Sequence, residues 1–218
     1  MRVAVFASGR GTNFAALFDA QRAGKLPIEL CALLSDKADA RAIRIAQDAG
    51  VAAIALDPKK YTSRAAFDRA LFDAAAEFRP DLIVLAGFMR VIDPDVVEAW
   101  RGRIVNIHPS LLPKYPGLRT HQRALDAGDA THGASVHFVT PELDGGPAIS
   151  QVVIDVLAND DAETLASRLL HHEHRLLVAT VDLIAQKRVA LTSDGVTFDG
   201  NLLRHPLQLM DGNRLQEI

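Results

Sequence analysis

Short apolar runs of strand length alternate with helix-length stretches over the first hundred residues, and no other feature constrains the fold as much. Residues 2–7, 28–34, 52–56, 81–86 and 104–107 are rich in Val, Ile, Leu and Ala. Runs that are apolar throughout belong to strands buried on both faces. Between them lies helical sequence. One stretch follows the turn Ser8-Gly9-Arg10-Gly11-Thr12-Asn13 and continues to about Ala23. A second covers about 40–49, with Gly50 where a C-cap belongs. A third is capped by Thr62 or Ser63 and runs through Phe78 to a stop at Pro80. A fourth opens with Asp93-Pro94 and ends near Trp100. Strand and helix in strict alternation predict an α/β fold with a doubly wound, mostly parallel sheet.

The second half changes character. Lys114-Tyr115-Pro116-Gly117 is a surface turn, and a helix over about 118–127 stops at Gly128. Residues 133–140 and 148–156 are strand-like and are joined by Pro141-Glu142-Leu143-Asp144-Gly145-Gly146-Pro147, which predicts an antiparallel hairpin at the sheet edge. Asp160-Asp161 opens a long helix to about Lys187. Residues 189–218 read as two short strands around Asp194-Gly195 and a polar tail. There is no repeat, low-complexity segment or linker, so residues 1–218 are expected to form a single domain.

Composition excludes several classes of function. Hydrophobic residues make up 49% of the 218 and charged residues 23%, as in ordinary globular proteins. The net charge is −3 with no basic stripe, so a nucleic-acid partner is not indicated. The single cysteine, Cys31, allows no internal disulfide and no cysteine metal cluster. No run reaches the ~18 apolar residues of a membrane span, and no signal sequence precedes the first strand. A cytoplasmic protein with small-molecule partners and no membrane partner is the expectation.

Two stretches concentrate polar chemistry at the carboxyl ends of strands, where open α/β sheets bind ligands. In the first, a strand is followed by Ser8 to Asn13 and then a helix, the arrangement in which free N–H groups hold an anion. Gly9 and Gly11 satisfy two positions of the dinucleotide fingerprint, but Phe14 stands at the third and no Gly-Lys-Ser/Thr follows. One phosphate monoester fits better than a dinucleotide; a plain tight turn fits too. In the second, Asn106 and His108 fall on one face of a strand that Pro109 ends. Alone, His108 is as readily a satisfied core histidine. Arg64, in the first turn of a helix, opposes the dipole and hints at a ligand, though a solvated arginine explains it as well. Asp144-Gly145 reads locally as a turn. His171-His172-Glu173-His174 lacks the spacing of a zinc helix, so no metal is expected.

Four motifs occurring together, Ser8-Gly9-Arg10-Gly11-Thr12-Asn13, Leu85-Ala86-Gly87-Phe88-Met89-Arg90, Asn106-Ile107-His108-Pro109-Ser110-Leu111-Leu112-Pro113 and Leu143-Asp144-Gly145-Gly146-Pro147, resemble the folate-dependent formyltransferases. The resemblance runs in order from Met1 to about Gly200. It implies a Rossmann-like fold and passage of a formyl group from 10-formyltetrahydrofolate to the primary amine of glycinamide ribonucleotide. By the same resemblance Asn106, His108 and Asp144 are catalytic, with Asp144 pairing to His108 and raising its pKa. Gly11, Thr12, Asn13, Pro109 and Glu173 are implied to hold the ribonucleotide. Arg64, Met89, Arg90, Val91, Ile92, Thr140, Asn106 and Asp144 are implied to face the folate. No covalent enzyme intermediate is expected, and Ser110 is too close in sequence to His108 to suggest a triad. The oligomeric state is left between monomer and homodimer. Transfer to another amine, or hydrolysis of the formyl folate, stays open within this fold. A non-catalytic nucleotide-binding module is the reading from a different class, and it leaves Asn106, His108 and Asp144 without a purpose.

Overall fold

The computed structural model describes residues 1–217; Ile218, part of the expected tail, lies outside the described residues. The chain forms two compact units, one of residues 1–106 with 139–141, the other of 107–138 with 142 onward.

The first unit is the expected alternation. Strands β1 (Arg2–Phe6), β2 (Glu29–Ser35), β3 (Ala52–Ala55), β4 (Leu82–Leu85) and β5 (Ile104–His108), whose last two residues belong to the second unit, lie in the order β5-β4-β1-β2-β3. All four pairings are parallel. Helices α1 (Thr12–Arg22), α2 (Arg41–Asp48), α3 (Arg64–Ala76) and α4 (Pro94–Ala99) connect them. Of the two cap residues the sequence offers for α3, Ser63 is used: its Oγ accepts the Ala66 N–H at 3.1 Å. Asp93 caps α4 through the Asp95 N–H at 3.2 Å, with Pro94 in the first turn. The β1 run is buried because both faces of a central strand are covered; Val3, Ala4, Val5 and Phe6 are wholly inaccessible. Phe6 meets Phe72 and Phe88 edge-on at centroid distances of 5.0 and 5.6 Å, a geometry worth about 1 kcal/mol per pair beyond burial. Strand order reverses at β1, so the loops leaving β1 and β4 lie side by side, with Ser8 N–H donating to Gly87 O at 3.1 Å.

The second unit contains α5 (Thr120–Asp126), the antiparallel pair β6 (Thr131–Phe138) and β7 (Ala148–Asp155), and α6 (Ala162–Ala185). Asp161 and Thr164 cap α6 reciprocally, each side chain accepting the other's backbone N–H at 2.8 Å. Gly133 lets β7 approach, since a Cβ there would lie 1.9 Å from Val152 O.

Three expectations are corrected here. The hairpin is antiparallel as read, but β7 is not an edge: β11 (Leu207–Leu209) pairs with it in parallel, and β12 (Leu215–Gln216) extends β11. The polar tail is therefore partly strand. Elements of two or three residues carry no periodicity to read. Strands β8 (Val189–Thr192) and β9 (Gly195–Phe198) form the expected turn around Asp194-Gly195, and β10 (Asn201–Leu202) completes a separate antiparallel sheet. The helix expected over 118–127 begins only at Thr120, because Arg119 takes a left-handed conformation with φ 57°. Among the described residues no helix is long and apolar enough to cross a membrane.

Candidate active site

In the first unit β1 delivers Ser8 to Gly11 to the start of α1. Gly11 is the N-cap residue, with φ 74°, and supplies no side-chain cap. The first turn of α1 holds no acidic residue. Its leading N–H groups and the positive dipole end are therefore free to meet an anion. A Cβ on Gly11 would stand 2.7 Å from Ala42 Cα, so α2 packs against this turn only because the residue is glycine. Thr12 is half-buried; Asn13 is 8% exposed, and its buried Oδ1 has no partner. The leading N–H groups of α1 and the Gly11 turn suit the phosphate reading of Gly11, Thr12 and Asn13, whereas the Asn13 Oδ1, an acceptor, calls for a donor and not for the anion.

The loop after β4 alternates in burial. Phe88 and Ile92 turn inward, at 9% and 5% exposure, whereas Met89 and Val91 stand out at 67% and 46%. Of the residues implied to face folate, Ile92 thus offers no side chain outward. Arg90 lies over the Phe67 ring, 4.7 Å from its centroid, with Nη1 4.0 Å from Asp36 Oδ2. Arg64 is exposed in the first turn of α3. Asn106, on β5, and Thr140 are half-buried in the same unit.

The second unit holds the titratable cluster. His108 ends β5 and is 6% exposed. Its Nε2 lies 2.9 Å from Tyr115 O. A carbonyl only accepts, so Nε2 carries the hydrogen and, in the neutral ring, Nδ1 is bare. That bare nitrogen faces Asp144 Oδ2 at 3.5 Å. Asp144 sits in the β6–β7 loop at φ 49°, its Oδ2 also accepting the Gly117 N–H at 2.8 Å. Its Oδ1 is 3.7 Å from His137 Nε2. Burial alone would raise this carboxyl; His137, the Gly117 N–H and His108 outweigh it and hold Asp144 below the usual carboxylate range. For His108 the balance falls the other way. Burial lowers its pKa more than Tyr115 O and Asp144 raise it, so the net shift is downward. The upward shift expected from Asp144 is present but is outweighed, which corrects the expectation. Ser110 is no nucleophile in a triad: its Oγ donates to Lys114 O at 2.6 Å and holds the turn. Pro109 follows His108, half-buried, and Glu173 is half-buried on α6.

The structure therefore joins His108 to Asp144, 36 residues along the chain, and adds His137 and Tyr115, which the sequence reading passed over. His137 sits in a run read only for its apolar pattern. The signal was the polar alternation Ser135, His137 near the end of β6. A second histidine pair, half-buried His121 Nδ1 and buried His132 Nε2 at 3.0 Å, was also unread. Among the described residues no three His, Cys, Asp or Glu side chains form a set that could hold a metal ion.

Known proteins resemble this chain along most of its length. Phosphoribosylglycinamide formyltransferase of Escherichia coli (strain K12) is 42% identical over 203 residues, 93% of this chain and 96% of that one. The trifunctional purine biosynthetic protein adenosine-3 of Bos taurus is 38% identical over 194 residues, 89% of this chain but 19% of that much longer one. The solved phosphoribosylglycinamide formyltransferase of Coxiella burnetii superposes with a TM-score of 0.90 at 40% identity, covering 93% of this chain and 95% of that chain. The family model described as formyl transferase matches residues 1–181, most of both units, and the chain belongs to that formyl transferase family.

Proposed function

We propose that residues 1–218 act as one formyltransferase domain that moves the formyl group of 10-formyltetrahydrofolate to the primary amine of 5-phosphoribosylglycinamide, in purine biosynthesis in the cytoplasm. The relatives' names support the acceptor and the pathway. The observation that carries the chemistry is the buried His108–Asp144 pair, 3.5 Å apart with side-chain exposures of 8% and 11%.

The amine attacks the formyl carbon and a tetrahedral oxyanion develops. Asn106 supplies an amide N–H to that oxygen, stabilisation that is strongest in a water-poor site. The nitrogen must lose a proton as the new C–N bond settles, and N10 of the folate must gain one as its C–N bond breaks. His108 carries that proton. Its Nε2–H is committed to Tyr115 O, so the incoming proton goes to Nδ1, where the Asp144 carboxylate balances the imidazolium. The depressed pKa keeps the ring neutral at pH 7 and so ready to accept. Gly11, Thr12 and Asn13 hold the substrate phosphate through backbone N–H groups, with Pro109 and Glu173 toward the ribonucleotide. Met89 and Val91 present their side chains to the folate, Arg90 and Ile92 belong to the same loop through its backbone, and Arg64, Thr140 and Asp144 complete the folate side. The co-substrate supplies the activated formyl group, and no metal takes part.

The test is the absorbance change on folate deformylation, with and without 5-phosphoribosylglycinamide. A signal that requires the ribonucleotide supports the reading; an equal signal without it makes the protein a hydrolase. His108→Ala, folded but turning over at near the normal rate, would remove His108 from the mechanism.

A further inference from the structure

The loop after β4 is fastened at both ends by side chains to which no role has been given. At its start the Met89 N–H donates to Ser8 Oγ at 3.0 Å. At its end the Asp93 N–H donates to Asp68 Oδ2 at 2.8 Å. Ser8 is 5% exposed and Asp68 wholly buried. Between the two anchors, Met89 and Val91 are the side chains that stand outward. Arg90 is held inward over Phe67 and beside Asp36.

Asp68 is an expensive anchor. Its Oδ1 is buried with no partner. Burial pushes its pKa up, against the opposing pull of the Asp93 N–H and of the Arg90 and Arg64 guanidiniums. A buried carboxylate with an unpaired oxygen costs stability. A loop that only needed closing could be closed on a cheaper group. The anchoring of both ends instead fixes the height of two apolar side chains, and such immobilisation lowers the ordering cost of binding a ligand.

We propose that Ser8 and Asp68 are positioning residues for the formyl donor, fixing residues 89–92 by main-chain hydrogen bonds so that Met89 and Val91 meet the folate already ordered. This rests on the reading of residues 89–92 as the folate side. Ser8 also begins the turn assigned to the substrate phosphate, so one side chain ties that turn to the donor loop.

The experiment measures the affinity of a stable 10-substituted folate analogue, and separately of 5-phosphoribosylglycinamide, by titration calorimetry on the full chain. Asp68→Ala removes the acceptor and leaves the Asp93 N–H unpaired; the folate analogue should bind about tenfold more weakly. The ribonucleotide should bind within about twofold of the wild type, its phosphate being held elsewhere. Asp68→Asn keeps an acceptor and should restore folate affinity, with a melting temperature no lower than the wild type, because a buried charge is gone. Ser8→Ala should weaken folate binding in the same way, and it carries the test if Asp68→Ala does not fold. Unchanged folate affinity in Ser8→Ala and Asp68→Ala, equal loss for both ligands in Asp68→Ala, or no recovery in Asp68→Asn overturns the proposal. Val91→Asp separates the two readings. If it weakens folate binding while the anchor variants do not, only the positioning role falls. If it changes nothing, or if the wild type binds no folate, the folate loop itself falls, and this role with it.

Discussion

His108 shows how two opposed effects set one residue's chemistry. Its carboxylate neighbour favours the charged ring and its burial disfavours it, and burial wins. The sign of the pH dependence follows. The neutral ring is the proton acceptor, so the rate should fall as pH drops through the folded-state pKa, which lies below the ordinary 6.5. The acid limb of the kcat profile is thus expected below pH 6.5 and flat above it until another group titrates. Asp144→Asn removes an interaction that raises the His108 pKa, so the limb should move to still lower pH, while kcat falls on the order of 10²-fold through loss of imidazolium stabilisation. Movement of the limb to higher pH in that variant would contradict the pairing.

Among the elements, α1 and α6 can be tested separately. Gly11→Ala forces a Cβ onto a residue at φ 74° and to 2.7 Å from Ala42 Cα. The backbone penalty alone is about 1–3 kcal/mol, and the packing of α2 against the turn adds to it. The variant should melt earlier and show a raised KM for the ribonucleotide, with the folate KM altered less. A ribonucleotide KM equal to wild type in a folded Gly11→Ala would argue for a plain turn. Asp161→Ala should cost about 1 kcal/mol by removing the acceptor at the start of α6. Urea denaturation would read this as a lower midpoint with unchanged slope. Both helix starts were visible in the sequence, one as a glycine turn and one as a double aspartate, because caps are local chemistry.

For the whole molecule, ligands that bind only the native state raise its melting temperature. At a hundredfold excess over Kd each contributes about 2.7 kcal/mol, which for a chain of this length is a rise on the order of 5–10 °C. A folate analogue and 5-phosphoribosylglycinamide should each produce it. A mononucleotide-binding module would respond to a nucleotide and ignore folate, so a thermal melt with each ligand distinguishes the classes without any turnover assay.

The sequence alone determined the parallel sheet of the first unit, since strands apolar on both faces and capped helices are written in runs of neighbours. It also determined that Asn106 and His108 share a strand end, and that Gly11 opens a helix. The tertiary structure decided the rest. It brought Asp144 to His108 and added His137 and Tyr115, partners set by hairpin and turn geometry rather than by spacing. It put β11 and β12 beyond β7, where two- and three-residue strands exist only by pairing. It also reversed the net shift on His108, because desolvation depends on what surrounds a ring in space, and no run of neighbours along the chain records that.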